Sequence, residues 1–507
     1  MSVNRYPIGR QDFRTLRNDD LLYVDKTRQV IRVIGGGKYL FLSRPRRFGK
    51  SLTVATIAEL FSGDRDLFRG LYAEQHWDFA AEKRKVIWIR MALANYQDHG
   101  LERGLFYHLR DIAEELEIPL TTSTAKDAFL ELIRRAGAEK PVAVLIDEYD
   151  KPLIDYLGED EKFEEHRQIF KSFYSVLKDS DRFLKLVFIT GVSAFSKVSI
   201  FSDLNNIKNI SLGSEAGDLV GISTEELEEY FSEELKTIDR DRLREWYNGY
   251  SWDGEQRIYN PWSLLNFMDQ REYHNFWFAT GKPTFMTREL KRRGIFRIAA
   301  NAEGSRAELL DFEAFQMNYH VLLFQTGYLT VREYDSLFNV YTLDYPNREV
   351  RQSLDVLLLN TYLDVNERDG QIRVRNLHRA LHKGDVAEVI SIINATFAEI
   401  PYDHWQEENE HFFHALIFLM FRLLGVYIRT EIHTHKGRCD ALVETPDILY
   451  FFEFKLDQSA QAALDQIAER GYASGTVDAP QRRLAVGVNI SKADKQIDEW
   501  EVVEVTA

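Results

Sequence analysis

The sequence predicts an α/β protein: a parallel sheet wrapped by helices, then an all-α or α+β region, then a smaller α/β domain of its own. Three observations predict it. Four short, continuously apolar runs in the first half, YLFL at 39–42, KVIWIRM at 85–91, VAVLIDE at 142–148 and FLKLVFIT at 183–190, alternate with helical patterns. Unbroken apolarity of this kind marks strands covered on both faces. The stretches between them, such as SLTVATIAELF and EEHRQIFKSFYSVLKD, carry apolar residues at the 3.6-residue period of crossover helices. From about residue 376 the order becomes helix, three strands, helix, strand.

At 507 residues the chain is too long for one core, so two or three domains are expected. With 45% hydrophobic residues, 13% aromatic and 11 prolines it reads as globular throughout. A net charge of −16 excludes a general nucleic-acid coat protein, because phosphate binding needs clustered Lys and Arg, but leaves room for a local basic groove. The one cysteine, Cys439, excludes an intramolecular disulfide and a multi-cysteine zinc site and fits a reducing cytoplasm, the expected location. The start, MSVNRYPIGRQDF, lacks the apolar core of a signal peptide. The most apolar run, FFHALIFLMFRLLGVYI, is interrupted by His414 and Arg422 and predicts a buried helix over 406–424, with no membrane partner.

The expected division is 1–214, 215–375 and 376–507. In the middle part, short helices are broken by aromatic turns (WYNGYSWDG, YNPWSLLNF, FQTGYLTVREYD), which suits a helical lid with a winged-helix unit near 310–350. In the last part, strands are expected near 427–434, 438–444, 449–456 and 483–489, with a helix near 458–473.

The run YLFL leads directly into SRPRRFGKS and then into SLTVATIAELF, the strand–loop–helix context of a phosphate-binding loop. The loop and helix start, Arg46, Arg47, Phe48, Gly49, Lys50, Ser51 and Leu52, are the candidate nucleotide contacts. Backbone N–H groups and the helix N-terminus point positive charge at a triphosphate, Lys50 supplies a cation, and the Ser51 hydroxyl suits magnesium. The first glycine of G-x-x-x-x-G-K-[ST] is replaced by Arg44, which forbids the closest approach and keeps open a plain basic turn before a helix. Downstream, VAVLIDEYD ends an apolar strand in Asp147, a candidate to hold magnesium through water, and Glu148, a candidate to polarise the attacking water. The alternative is a buried strand ending in a solvated acidic turn. FLKLVFIT ends at Thr190, with Ser193 close behind, where a hydroxyl either senses the γ-phosphate or caps a helix.

In the last part, GRCDALVE places Asp440 on a strand and LYFFEFKL places Glu453 and Lys455 two apart on the next, hence on one face. Two carboxylates beside an amine suit phosphodiester hydrolysis: Asp440 and Glu453 as magnesium or manganese ligands, Lys455 to position or help deprotonate water. Glu410 on the preceding helix and Gln466 in ALDQIAERGYA are further candidates. The competing reading is an exposed strand ion pair worth ~0–1 kcal/mol, against which the aromatic flanks of Glu453 argue for a protected face. His433 and His435 share a strand face without a third ligand. The run RELKRRGIFR at 288–297 concentrates Arg288, Lys291, Arg292, Arg293 and Arg297 and is either the best DNA-contact patch or a solvated helix face.

In order along nearly the whole chain, YPIGRQDF, LLYVDKT, RPRRFGKSL, LIDEYD, ITGVSAF, WYNGYSWDG, YNPWSLL, LLFQTGYLT and YPNREVRQSL resemble the bacterial AAA-ATPase-like family that carries a C-terminal PD-(D/E)XK nuclease-superfamily domain. The resemblance implies an AAA-like P-loop core that binds ATP. It makes RPRRFGKS the family's own form of the loop. Tyr259, Asn260 and Pro261 are similar to a lid motif that approaches the base, although by residue chemistry they are only a turn with a pre-set proline. Asp25 and Lys26 of LLYVDKT are implied near the nucleotide, without a role. Glu410, Asp440, Glu453, Lys455 and Gln466 match the nuclease pattern, with Cys439 where that pattern has proline. The implied function is an ATP-dependent switch or motor controlling a magnesium-dependent nuclease that acts on DNA, in defence or mobile-element turnover. The rivals are a signalling ATPase whose C-terminal fold only binds, and a nucleotide-binding scaffold without turnover. Oligomeric state stays open: Arg46 and Arg47 in cis, or a neighbour's arginine in a homo-oligomer, are alternative arginine fingers.

Overall fold

The computed structural model describes residues 6–193, 200–201, 206–278, 286, 290, 293, 295, 298, 301–310, 318–363, 367–398, 417, 420, 428–429, 433–434, 437–438, 440–470 and 481–505. The chain divides into two compact units, Met1–Phe285 with Ala299–Arg351, and Met286–Ile298 with Gln352–Ala507.

The first unit is built on a parallel sheet of β1 (Tyr39–Ser43), β2 (Val86–Arg90), β3 (Val142–Asp147), β4 (Leu184–Gly191) and β5 (Lys208–Asn209), in the order β2-β3-β4-β1-β5. Every position of β1 and β3 is buried, as unbroken apolar runs require when helices cover both faces. The helix Lys50–Ser62 follows β1 and buries Val54, Ile57, Leu60 and Phe61. Helices Leu101–Glu115 and Ala125–Ala136 connect β2 to β3, the second N-capped by Thr124, and Asp160–Asp179 connects β3 to β4. Because β4 lies between β1 and β3, the phosphate-loop strand and the Asp147 strand face each other across one strand, at the carboxyl edge where ligands of parallel sheets bind.

A second core of Ile222, Leu227, Phe231, Leu243, Tyr247, Leu264 and Phe267 is made by the helices Thr224–Tyr230, Arg240–Tyr247 and Pro261–Gln270. Ser223 starts the first of these with a full capping box to Glu226. Next come β6 (Ala302–Ser305), the helices Arg306–Leu310 and Tyr319–Thr326, and the hairpin β7 (Thr330–Asp335) with β8 (Val340–Asp344); the sheet order is β6-β8-β7. The winged-helix unit expected near 310–350 falls on these elements in part, residues 311–317 lying outside the described residues.

Glu349 ties this region to the sheet. It is fully buried, and its Oε1 accepts from the Trp277 N–H (2.7 Å), while the Trp277 indole N–H donates to the Arg46 carbonyl (3.2 Å). Burial pushes its carboxyl up to about 8 from an ordinary 4.5. Since the folded value lies above the unfolded one, its contribution to stability is complete below 4.5 and is lost as pH rises through 8. Glu349→Gln, which keeps the acceptor, is expected to flatten the loss of stability between those pH values and to stabilise the chain by a few kcal/mol at the alkaline end. Urea unfolding at stepped pH reads this directly.

The second unit carries a mixed sheet of β9 (Ile428–Arg429), β12 (Ala441–Glu444), β13 (Ile448–Leu456), β14 (Arg482–Ser491) and β15 (Gln496–Glu504), in the order β15-β14-β13-β12-β9, with β13 and β14 parallel and the other pairs antiparallel. A separate two-stranded ribbon pairs β10 (His433–Thr434) with β11 (Gly437–Arg438). The helix Ala460–Glu469 packs on the sheet at Gly487, where a Cβ would stand 2.3 Å from the Ala460 carbonyl oxygen. Helices Glu367–Lys383 and Val386–Phe397 precede the sheet. The expected 438–444 strand divides into β11 and β12. β15, which sequence periodicity does not reveal, is an exposed edge of mostly polar and charged residues. The expected helix over 406–424 lies outside the described residues apart from Ile417 and Met420, both buried. Among the described residues no helix is long and apolar enough to cross a membrane.

Candidate functional site

β1 delivers the chain into a loop that turns at two left-handed residues, Arg47 (φ 68°) and Gly49 (φ 91°), before the helix begins at Lys50. Gly49 takes that conformation without strain, whereas Arg47 must be held there. Its guanidinium stacks 4.4 Å from the centre of the Trp262 ring. Phe48 is buried edge-on against Tyr250 and Trp252 and anchors the loop.

Arg44 has a structural explanation that the sequence does not offer. Its side chain is 1% exposed and turns away from the loop's open side. The guanidinium donates to the carbonyls of Ser43 (2.9 Å), Ser211 (2.8 Å) and Ala216 (2.8 Å) and lies 3.9 Å from the Trp252 ring centre. Burial pulls its pKa down to about 9. The expectation that it obstructs close approach to phosphate therefore gives way to a bolt between the loop and the 211–216 segment. Arg44→Gly, which restores the general P-loop pattern, should destabilise the chain by about 2–4 kcal/mol by stranding buried carbonyls, and should weaken ATP binding. Thermal unfolding and nucleotide titration check both.

Beside the loop lies an open cleft of about 420 Å³. Arg46, Arg47, Gly49, Lys50, Ser51 and Leu52 form one wall, Glu148, Asp150 and Lys151 a second, and Pro261, Trp262 and Leu265 a third. The stretch Pro7–Gln11 closes it, a contribution for which the only sequence signal is the YPIGRQDF motif. The Lys50 ammonium donates to the carbonyls of Arg44 (2.8 Å) and Pro45 (2.9 Å). Burial lowers its pKa, opposed by Asp147, Glu148 and Asp150. Glu148 sits at the carboxyl end of β3 in the left-handed region (φ 56°), and burial together with Asp147 raises its pKa.

Thr190 is fully buried and does not line the cleft; its hydroxyl donates to Asp147 Oδ1 (2.6 Å), so it orients that carboxylate. Ser193 is bound likewise, donating from its backbone N–H (2.7 Å) and hydroxyl (2.8 Å) to Asp150 Oδ2, which also accepts from the Val192 N–H. Asp150, the third acid of LIDEYD, is the site residue that sequence reasoning missed. Asn260 is buried and N-caps the Pro261–Gln270 helix through the N–H groups of Trp262 and Ser263. Lys26 is paired with Glu226 (2.6 Å), and Asp25 accepts from Thr27 and Tyr72; neither lines the cleft.

In the second unit, β12 and β13 pair so that Ala441 stands opposite Phe452. Asp440 precedes β12, with its backbone N–H 3.4 Å from Glu453 Oε2 and its Oδ2 accepting from the Phe454 N–H (2.8 Å). Lys455 Nζ donates to Gln466 Oε1 (2.6 Å) and lies 3.4 Å from Glu453 Oε1, to which the Gln466 amide also donates. Glu453 is 1% exposed, and burial followed by the charge of Asp440 pushes it up to about 7. The chain thus brings Asp440, Glu453, Lys455 and Gln466 into one cluster: an acid shared between two donors, with a second carboxylate beside it. Glu410 and Cys439 lie outside the described residues, as do Arg288, Lys291, Arg292 and Arg297 of the basic run.

Residues 7–201 match the family model described as a predicted AAA-ATPase, AAA-ATPase-like, and residues 408–500 match the PD-(D/E)XK nuclease superfamily. The chain is 38% identical over 516 residues, 98% of each chain, to the "Uncharacterized protein in vnfD 5′region" of Azotobacter chroococcum mcd 1. No solved structure matches it.

Proposed function

Because this chain belongs to the AAA-ATPase-like family with a C-terminal PD-(D/E)XK nuclease-superfamily domain, we propose that it binds and hydrolyses ATP and that its nucleotide state governs a magnesium-dependent nuclease acting on DNA in the cytoplasm. The observation that carries the reading is the cluster of Glu453, Lys455 and Gln466 with Asp440 alongside. A carboxyl buried against another carboxylate is costly unless a cation compensates, so the donor set fits a hard divalent ion held by Asp440 and Glu453, with magnesium first and manganese second. In the first unit the Ser51 hydroxyl and the Asp147 carboxylate are oxygen donors of the same kind. Bound magnesium would neutralise charge growing on phosphoryl oxygens and acidify a bound water.

The chain's own residues have separable tasks. Gln466 fixes the Lys455 ammonium, which is then aimed at one place, to orient water or a phosphate oxygen. At the ATP cleft, Lys50 exchanges two loop carbonyls for phosphate oxygens, Thr190 sets Asp147, and Glu148 takes the proton of the attacking water. Pro261 and Trp262 border the base end. A role against foreign DNA or mobile elements is the biological setting that suits this pairing. Cleavage of linear and circular DNA with magnesium or manganese, with and without ATP, tests the reading against Glu453→Ala; no cleavage by the wild type under any condition would leave the second unit a binding module.

A further inference from the structure

Two features of the first unit lie outside both clusters and fit one another. The β7–β8 hairpin ends in Leu337 and Phe338, 82% and 73% exposed. The turn is stiffened to present them: Asp335 Oδ1 accepts from the N–H groups of Leu337 (2.8 Å) and Phe338 (3.1 Å), the Tyr334 hydroxyl donates to Asn339 (2.9 Å), and Tyr334 stacks on Tyr341. Two large apolar side chains fixed side by side in water forgo the burial energy they could supply, roughly 1.5–3 kcal/mol each. Glu333 and Asp335 precede them on β7, both exposed, and outnumber the exposed Arg332.

The second feature is the open side of β2, the outermost strand of the parallel sheet. A groove of about 860 Å³ runs along it, with Trp88, Ile112 and Leu116 in its lining and Leu93 53% exposed at its edge. The Trp88 indole N–H is buried without an acceptor among the described residues. Lys83 and Lys85 stand exposed just before the strand and Arg90 at its end, over the Trp88 ring. Of the groove's acids, Glu59 and Asp111 are ion-paired with Arg14 and Arg110, and the exposed Glu115 and Glu139 are outnumbered by Lys83, Lys85, Arg90 and Lys140.

We propose that the Leu337–Phe338 hairpin tip of one molecule docks into the β2 groove of a second copy, a head-to-tail contact that joins copies into a ring or filament. The acidic flanks of the tip meet the cations of the groove, its apolar pair covers Leu93 and Trp88, and an open sheet edge that would otherwise invite unselective pairing is closed. The same acidic flanks disfavour a nucleic acid or an anionic lipid as the tip's partner. Tip and groove are different surfaces, so the contact is heterologous and each copy uses both.

Sedimentation velocity on the full chain tests this with a tip variant, Leu337→Glu with Phe338→Glu, and a groove variant, Leu93→Glu, all at exposed positions. Wild type should associate with rising concentration, and each variant alone should associate at least about tenfold more weakly. An equimolar mixture, which retains one intact tip and one intact groove, should form a dimer and nothing larger. A wild type that stays monomeric, a variant that associates as wild type does, or a mixture that stays monomeric would each overturn the proposal.

Discussion

Glu453→Ala is expected to lower metal-dependent DNA cleavage by about 10²–10³-fold, the loss typical of removing one electrostatic group from a preorganised site, while nucleotide binding at the loop of the first unit persists. Glu453 is the point on which the cluster converges: Lys455 and Gln466 both contact it, and burial followed by Asp440 raises its pKa. Removing it relieves its repulsion with Asp440 but also breaks its contacts with Lys455 and Gln466, so heat unfolding is measured beside cleavage, and an unchanged transition marks the lost activity as a loss of chemistry. Lys455→Ala gives the complementary result. It leaves both carboxylates, so metal uptake, followed by calorimetric titration with manganese, should survive while cleavage falls. Loss of both together in Lys455→Ala would mean that the lysine holds the cluster's shape and not the water.

What was legible in the sequence divides by the distance over which the information is local. The four apolar runs of the first unit became β1 to β4 because burial on both faces leaves its mark within each strand. Glu453 and Lys455 share a face because alternation is a two-residue property, and their meeting with Gln466 followed from the next helix packing back on β13 and β14. Arg44 shows the opposite limit. Apart from the adjacent Ser43 carbonyl, its partners lie at Ser211, Ala216 and Trp252, more than 160 residues on in each case, and no pattern near RPRRFGKS points to them. Thr190 was legible as a polar strand end but not as the partner of Asp147, since that depends on β4 lying directly beside β3. β15 was invisible because an exposed edge strand with charges on both sides has no apolar period.

Glu148→Gln should reduce phosphate release from ATP by about 10²–10³-fold, the usual contribution of a general base, and leave ATP affinity near wild type. The residue lines the cleft at the carboxyl end of β3, its side chain makes no hydrogen bond to the loop among the described residues, and glutamine tolerates the same backbone conformation with the same side-chain volume. Burial and the neighbouring Asp147 raise the pKa of Glu148, which strengthens it as a base for water, so the amide removes chemistry and not shape. Lys50→Ala is the control with the opposite signature: it removes the ammonium that spans Arg44 and Pro45, so affinity should fall with turnover. If wild type binds ATP and releases no phosphate even with DNA, Glu148→Gln has nothing to lose, and the first unit is a nucleotide-binding scaffold. If turnover is present and Glu148→Gln traps ATP, the same variant then decides coupling, because DNA cleavage measured in the trapped state shows whether the second unit responds to bound ATP or to its hydrolysis.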